Sequence, residues 1–240
     1  MKICIILLSL LLFAFSHGQQ AKEVTYQGAQ FQIFRTPVKF VHLHWKNNKG
    51  EKYHTLEALE RDLNAKNITP LMLTNAGIYE IGETPCGLHI ENGKTLNNLN
   101  LKDQEGNFYL KPNGVFCLIN GEAKILESHE YAEKNLSPEL AFQSGPLLLT
   151  NGKIHPKFNK NSNSKLLRSG VGITKGGEIV FIISKGKVNF HHFASVFISR
   201  GCTDALFLDG TISKMKISNS PQHSPHHHVK FAAILAIYGD

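Results

Sequence analysis

The end of a short apolar segment is the first place in this sequence where chemistry can be sought. Residues 205–208 have the pattern of a buried strand, and Asp209-Gly210 follows at once. A carboxylate at a strand end can act as a base or a nucleophile, and a following glycine lets a ligand or another backbone segment approach closely. Asp209 can equally well cap the next turn, and the spacing alone leaves both interpretations open.

Two more polar residues lie beside other apolar segments. Asn75 follows residues 70–73 and carries both a donor and an acceptor, which suits a sugar hydroxyl or an acetamido group. Asparagine is also a favoured turn residue, so a plain turn is the alternative. Arg168 opens an uncharged, strand-like stretch, where a guanidinium can hold a phosphate in a bidentate fork. A surface ion pair is the ordinary role of an arginine.

The elements that must position these residues are short strands joined by tight turns. Four Asn-Gly pairs supply the positive φ angles that hairpins need, and short apolar runs flank most of them. Amphipathic spacing predicts helices over residues 55–66 and 189–200, with a weaker one over 128–134. We therefore predict an α+β fold with a mixed, largely antiparallel β-sheet, hairpins and a few flanking helices.

Composition bounds the class of protein. The chain has 240 residues, 42% of them hydrophobic, with a formal charge of +7, which is an ordinary globular mixture and excludes a disordered or collagen-like chain. Four cysteines are too few for a disulfide-stapled miniprotein. Cys117 lies in an apolar run and is expected to be buried, and a disulfide between Cys86 and Cys117 is left open.

The N-terminus has the layout of a secretory signal peptide. Lys2 precedes an apolar run over residues 3–15, and small residues at Ser16 and Gly18 suit cleavage after Gly18. The run is short for a membrane span, although an uncleaved anchor is the alternative. We expect residues 1–18 to be removed, residues 19–240 to form one domain, and the protein to be periplasmic or secreted without stable membrane insertion.

Histidines raise the question of a metal. His42 and His44 share one face of a predicted strand, His191 and His192 open a predicted helix, and three more histidines occupy residues 226–228. These spacings match no recognised transition-metal template. We therefore assign no certain cofactor, while a divalent cation held by carboxylates such as Asp209 stays an alternative.

The order of the polar motifs between about residues 70 and 217 resembles the phosphodiester glycosidase domain family. The resemblance implies hydrolysis of a sugar-1-phosphodiester to a free sugar and a phosphomonoester, on a mixed α+β sheet. Many members continue Leu-Asp-Gly with further Gly and Ser residues, whereas Thr211-Ile212 stands here. The motifs that carry the resemblance are Asn75-Ala76-Gly77-Ile78-Tyr79, Gly87-Leu88-His89-Ile90 with Asn92-Gly93-Lys94, Asn107-Phe108-Tyr109 with Pro112-Asn113-Gly114-Val115-Phe116, Gln143-Ser144-Gly145-Pro146 with Asn151-Gly152, Arg168-Ser169-Gly170-Val171-Gly172-Ile173, and Asp204-Ala205-Leu206-Phe207-Leu208-Asp209-Gly210.

Strand-end placement and this resemblance together suggest roles. Asp209 is expected to act as nucleophile or base, Arg168 to neutralise the phosphate with Lys214, and Asn75 to orient the sugar. Asp204 and Glu80 are candidates for a second carboxylate, and the amides around Gly77, Gly145 and Gly210 for further donors. The residues expected to bind substrate are Gly77, Glu80, Asn113, Ser144, Gly145, Asp204, Gly210, Ser213 and Lys214.

Two other kinds of function compete with hydrolysis. A non-catalytic module for phosphorylated sugars or cell-envelope glycans would use the same pocket, and the Thr211-Ile212 departure favours it. A nucleic-acid binder is disfavoured because the lysines are scattered and no basic-aromatic motif appears. The expected partner is a small molecule or glycan with a sugar-1-phosphate linkage, with no nucleic acid; the oligomeric state is not predicted.

Overall fold

The protein is a set of antiparallel sheets with three helices in the part of the chain that the structure covers. The structure, a computed structural model, describes residues 20–218 and 229–239. The proposed signal segment, residues 1–18, and the histidines at 226–228 lie outside the described residues. The helices are α1 (Leu56–Ala65), α2 (Ser128–Glu133) and α3 (Phe190–Ser199).

Eighteen strands are defined within these residues. The first nine are β1 (Gln20–Tyr26), β2 (Ala29–Thr36), β3 (Val41–His44), β4 (Met72–Ala76), β5 (Tyr79–Glu80), β6 (Thr84–Pro85), β7 (His89–Glu91), β8 (Lys94–Asn97) and β9 (Gly114–Ile119). The remaining nine are β10 (Glu122–Glu127), β11 (Leu140–Ser144), β12 (Leu147–Thr150), β13 (Lys153–Ile154), β14 (Ser169–Thr174), β15 (Ile179–Ser184), β16 (Cys202–Asp209), β17 (Met215–Ile217) and β18 (Ala233–Ile237).

Three larger sheets and one small hairpin contain these strands. The seven-stranded sheet has the order β1-β2-β15-β14-β16-β12-β13, the five-stranded sheet β10-β9-β11-β7-β8 and the four-stranded sheet β17-β4-β18-β3; β5 and β6 pair alone. Every strand pair among the described residues is antiparallel. The antiparallel prediction is confirmed, whereas the expected mixed sheet is several antiparallel sheets, and strand outweighs helix.

One core is shared by the inner faces of the three larger sheets. Leu206 and Leu208 of β16 meet Phe116 of β9, Phe142 of β11 and Leu235 of β18 there. Each outer face is covered by one helix: α3 packs on the seven-stranded sheet, α1 on the four-stranded sheet and α2 on the five-stranded sheet. The helices are amphipathic because only one side of each faces a sheet.

The three predicted helices are confirmed, and their ends follow from local hydrogen bonds. Thr55 accepts a bond from the Ala58 amide at 3.1 Å and begins α1. The Asn189 side chain accepts from the His192 amide at 2.8 Å and begins α3. Such N-caps each stabilise a helix by about 1 kcal/mol. The Glu127 carboxylate performs the same role for α2.

Three of the four Asn-Gly pairs form the predicted hairpin turns. Asn92, Asn120 and Asn151 have positive φ, as do the glycines that follow them, and they join β7–β8, β9–β10 and β12–β13. The pair Asn113-Gly114 differs: Asn113 is buried and Gly114 begins β9. A Cβ at Gly114 would lie 2.8 Å from the Leu126 carbonyl oxygen, so close strand packing is the reason for this glycine.

No helix in the described residues has the length and apolar character to cross a membrane.

Candidate active site

The site is organised around Asp209, the last residue of β16. Ser169 pairs with Asp209 and Gly170 pairs with Phe207, so β16 has one extra residue at this point. A bulge of this kind releases a side chain from strict alternation and often re-aims it at a sheet edge. Leu206 and Leu208 point into the shared core, so strict alternation would turn Asp209 to the opposite face. Because of the bulge, Asp209 instead lies on the face of its cross-strand partner Ser169.

Asn75 holds the Asp209 side chain. It lies in β4 and is 1% exposed. Its amide nitrogen donates to Asp209 Oδ2 at 2.8 Å, and its Oδ1 accepts from the Lys214 amide at 2.9 Å. Asn75 therefore joins the end of β16 to the loop of residues 210–214. Both functions of its side chain are in use, so it positions the carboxylate.

The carboxylate of Asp209 is tuned for proton transfer near neutral pH. Burial raises its pKa to about 6, although hydrogen bonds from the Gly210 amide and from Asn75 partly oppose this. The Gly210 amide donates to Asp209 Oδ1 at 2.6 Å, so Asp209 also caps its own turn. With this pKa the side chain is roughly nine-tenths ionised at pH 7. A partly desolvated base of this kind is suited to general base catalysis.

Neutral hydroxyl groups accompany the carboxylate. The Ser169 and Ser213 hydroxyls lie 2.8 Å apart, both buried. The Ser144 hydroxyl lies 3.5 Å from the Leu208 carbonyl oxygen, at the end of β11. Burial, followed by the charge of Asp209, raises the pKa of Tyr79 to about 12, so this hydroxyl stays protonated beside the site.

Lys214 lies at the site, and its ammonium group already forms an ion pair. Its ammonium is 2.6 Å from Glu57 Oε1 of α1, and its side chain is 6% exposed. Ser213 turns back through a 2.9 Å bond from its amide to the Gly210 carbonyl. Lys214 is therefore placed at the site, but a phosphate must compete with Glu57 for its ammonium group.

Arg168 faces the other side of the seven-stranded sheet. Cross-strand partners share a face, so Ser169 lies on the face of Asp209 and Arg168, one residue earlier, lies on the opposite face. Its guanidinium carbon stacks 3.5 Å above the ring of Phe190 of α3, and Nε donates to the Val188 carbonyl at 2.9 Å. No cation is among the groups that set the pKa of Asp209. The structure therefore places the guanidinium of Arg168, which was expected to neutralise the phosphate, on the face of the sheet opposite Asp209.

The two candidate second carboxylates do not join Asp209. Asp204 lies at the opposite end of β16, about 16 Å away for five residues of strand. Its Oδ1 accepts from the Asn151 amide at 3.0 Å and fixes the β12–β13 turn. Glu80 is exposed in the β5–β6 hairpin. Neither contributes to the pKa of Asp209.

Two expected binding residues act in packing. The Asn113 amide donates to the Phe108 carbonyl at 2.9 Å, and Asn113 is 2% exposed. A Cβ at Gly145 would lie 2.6 Å from that same carbonyl oxygen, so a protein segment occupies the space predicted for a ligand. Gly77, with φ +65°, lies against the Gln143 carbonyl beside Ser144, close to the site.

Metal-ligating and thiol groups are arranged as follows. No group of three or more His, Cys, Asp or Glu side chains converges on a metal position within residues 20–218 and 229–239. His42 and His44 do share one face of β3, where His42 stacks on Tyr238. Cys86, Cys117 and Cys202 are free thiols, and Cys117 is buried as expected.

Sequence reasoning missed Ser169, Tyr79 and Glu57. The first two belong to motifs that were recognised, next to Arg168 and four residues after Asn75. Their polar type and position at strand ends were the available signals. Glu57 had no signal, because only the packing of α1 on the four-stranded sheet brings it to Lys214.

Comparison with known proteins identifies the family of this chain. The family model described as phosphodiester glycosidase matches residues 70–236. The uncharacterized protein YigE of Escherichia coli (strain K12) is 38% identical over 176 residues, which are 73% of this chain and 68% of that protein.

Two solved structures share the fold. The zebrafish N-acetylglucosamine-1-phosphodiester alpha-N-acetylglucosaminidase catalytic domain, auto-inhibited by its pro-peptide, has a TM-score of 0.63 at 15% identity, over 93% of this chain and 83% of that one. A putative exported protein from Burkholderia pseudomallei K96243 has a TM-score of 0.57 at 10% identity, over 87% of this chain and 74% of that one. The family match and the bacterial relative show that this chain belongs to the phosphodiester glycosidase family.

Proposed function

We propose that this protein hydrolyses the glycosidic bond of a sugar-1-phosphodiester, giving a free sugar and a phosphomonoester. The observation that carries the proposal is the Asp209 carboxylate, which Asn75 and the Gly210 amide fix at a strand end and which has a pKa of about 6. Membership of the phosphodiester glycosidase family supports the class of substrate.

In the proposed reaction, water attacks the anomeric carbon and the bond from that carbon to the phosphate oxygen breaks. The phosphate keeps the bonding electron pair, and Asp209 takes the proton that the water loses. A phosphate oxygen leaves readily, so the reaction needs little help from a general acid.

Substrate binding is assigned to the groups around the carboxylate. The hydroxyl of Tyr79 is proposed to bind the sugar, since a hydroxyl both donates and accepts. The buried hydroxyls of Ser144, Ser169 and Ser213 are proposed to support the backbone around the carboxylate. Lys214 is proposed to meet the phosphate. Its partner Glu57 has a side chain that is 37% exposed and can turn to solvent when a phosphate replaces it.

Export and a metal requirement are further proposals. We propose that residues 1–18 direct the chain out of the cytoplasm and are then removed. A divalent cation at Asp209 is the other open prediction; it would take most of its ligands from water and substrate, since no three ligating side chains converge in the described residues.

The decisive experiment is a screen of aryl and alkyl sugar-1-phosphodiesters against purified residues 19–240. Released sugar is detected by mass spectrometry, with and without EDTA, and Asp209→Asn is the control. We expect sugar release from at least one compound by the unaltered chain alone. Calorimetric binding of a compound without any product would instead favour the non-catalytic module.

A further inference from the structure

A polar cavity lies on the α3 side of the seven-stranded sheet, away from Asp209. We call it the lysine pocket; its volume is about 530 Å³. This is the size range of sites that hold small ligands. None of the described residues that line it is acidic. They are Gln27, Gly28, Ala29, Lys160, Asn161, Ser162, Asn163, Lys165, Lys187, Val188, Asn189, His191 and His192.

The three lysines of the pocket carry uncompensated charge. Lys160, Lys165 and Lys187 are exposed, and no carboxylate in the described parts of the chain lies within 4.0 Å of their ammonium groups. Like charges gathered around one cavity repel one another, and an anion in the cavity would relieve this.

The rim that presents two of these lysines is held by buried side chains. The Asn189 amide donates to the carbonyls of Lys160 and Ser162 at 3.0 and 3.1 Å, while its oxygen caps α3. Arg168 Nη2 donates to the Ser164 carbonyl at 3.2 Å. Alternate carbonyls of this polar loop are therefore anchored, which fixes the backbone that carries Lys160 and Lys165.

Arg168 adds a buried positive charge behind the same wall. It is 1% exposed, and no carboxylate lies within 4.0 Å of its guanidinium in the parts of the chain that the structure covers. Its Nη1 is buried with no hydrogen-bond partner among the described atoms. A buried cation without a counter-charge costs several kcal/mol. A bound anion nearby would lower that cost.

We propose that the lysine pocket binds an anionic oligosaccharide, one that carries phosphate or sulfate groups. The lysines suit its charges, and the amides of Gln27, Asn161 and Asn163 suit its hydroxyls. Nucleic acid is disfavoured as the occupant because no Phe, Tyr or Trp ring lines the pocket for bases to stack on. This binding is separate from hydrolysis at Asp209, on the other face of the sheet.

The test is calorimetry with a sulfated tetrasaccharide, a neutral tetrasaccharide of similar length and a single-stranded oligonucleotide of matched charge. We expect the sulfated probe to bind best, and Lys160→Gln/Lys165→Gln/Lys187→Gln to weaken its binding at least tenfold. The matched control, Lys49→Gln/Lys94→Gln/Lys102→Gln, removes the same charge from exposed lysines elsewhere and is expected to bind unchanged.

Four outcomes would overturn the proposal. They are no binding of the sulfated probe, unchanged binding in the pocket triple variant, equal loss in the control triple variant, and tighter binding of the oligonucleotide with the same dependence on the pocket lysines. Circular dichroism of both triple variants excludes loss of fold as the reason for any change. Because turnover at Asp209 is measured separately, failure here leaves the proposed hydrolysis standing.

Discussion

The two faces of the seven-stranded sheet carry opposite chemistry. On one face, Asp209 is a partly buried carboxylate held by Asn75, with neutral hydroxyls around it. On the other, Arg168 is a buried cation behind three exposed lysines. The two side chains are only one residue apart in register, because Ser169 pairs with Asp209. One sheet can therefore keep an ionisable base and a cluster of cations close together without pairing them.

The difference between these faces has an electrostatic consequence. Had Arg168 faced Asp209, its charge would have lowered the carboxylate pKa below the usual range. Instead, burial raises the pKa of Asp209 to about 6, and only neutral donors oppose it. Separation by the sheet thus keeps Asp209 a better proton acceptor than an ion-paired carboxylate would be.

The largest expected effect is on catalysis. Asp209→Asn is expected to lower kcat/KM for a sugar-1-phosphodiester by about 10³-fold or more, since the base is lost while the side-chain shape is kept. Sugar release is measured at pH 7.5. Asp204→Asn, at the far end of the same strand, is the matched control and is expected to stay within about twofold. Equal losses in both variants would remove Asp209 from the centre of the site.

Asn75 is expected to have the second largest effect. Asn75→Ala removes the hydrogen bond to Asp209 and the acceptor for the Lys214 amide, and we expect kcat to fall about 10- to 100-fold. Because that bond lowers the pKa of Asp209, its loss should raise the acid-side midpoint of the pH–rate profile above about 6. A fall in kcat with an unmoved midpoint would show that Asn75 acts only through the fold.

Sequence predicted the parts of this site more readily than their arrangement. Asp209 and Asn75 were found because each follows an apolar run, and the structure joins them directly. The distance of Asp204 from Asp209 could have been predicted, since five residues of strand span about 16 Å. The face on which Arg168 lies could not, because a shift of one residue changes the face of a strand. The bulge at Asp209, which sets the register, has no signal in this sequence.

A stability measurement tests the environment of Asp209 without substrate. Its folded pKa, about 6, is above its ordinary 3.8, so the folded state binds the proton more tightly than the unfolded chain. The resulting stability is complete only below the unfolded pKa of 3.8, and it is lost as the pH rises from there through about 6. Relative to Asp209→Asn, the unaltered chain is therefore expected to lose at most about 2 kcal/mol of unfolding free energy between pH 4 and 7.5.

Urea unfolding of both proteins at pH 4, 5, 6 and 7.5 measures this difference. Other titrating groups cancel in the comparison because they are common to both chains. A difference that is flat across this range would mean that Asp209 is as well solvated in the folded state as in the unfolded one.

The smallest expected effect concerns Arg168, and it tests the separation of the two faces most directly. Arg168→Met is expected to leave kcat/KM for a small sugar-1-phosphodiester within about threefold, since the guanidinium lies on the face opposite Asp209 and takes no part in setting its pKa.

Methionine keeps apolar contact with Phe190. Two hydrogen bonds of about 1 kcal/mol each are lost, but so is a buried charge without a counter-ion, and these changes oppose each other. Thermal unfolding checks that the variant is folded. A loss of turnover as large as that of Asp209→Asn, in a variant that is folded, would contradict the separation of the two faces. It would mean that Arg168 and Asp209 act on the same phosphate.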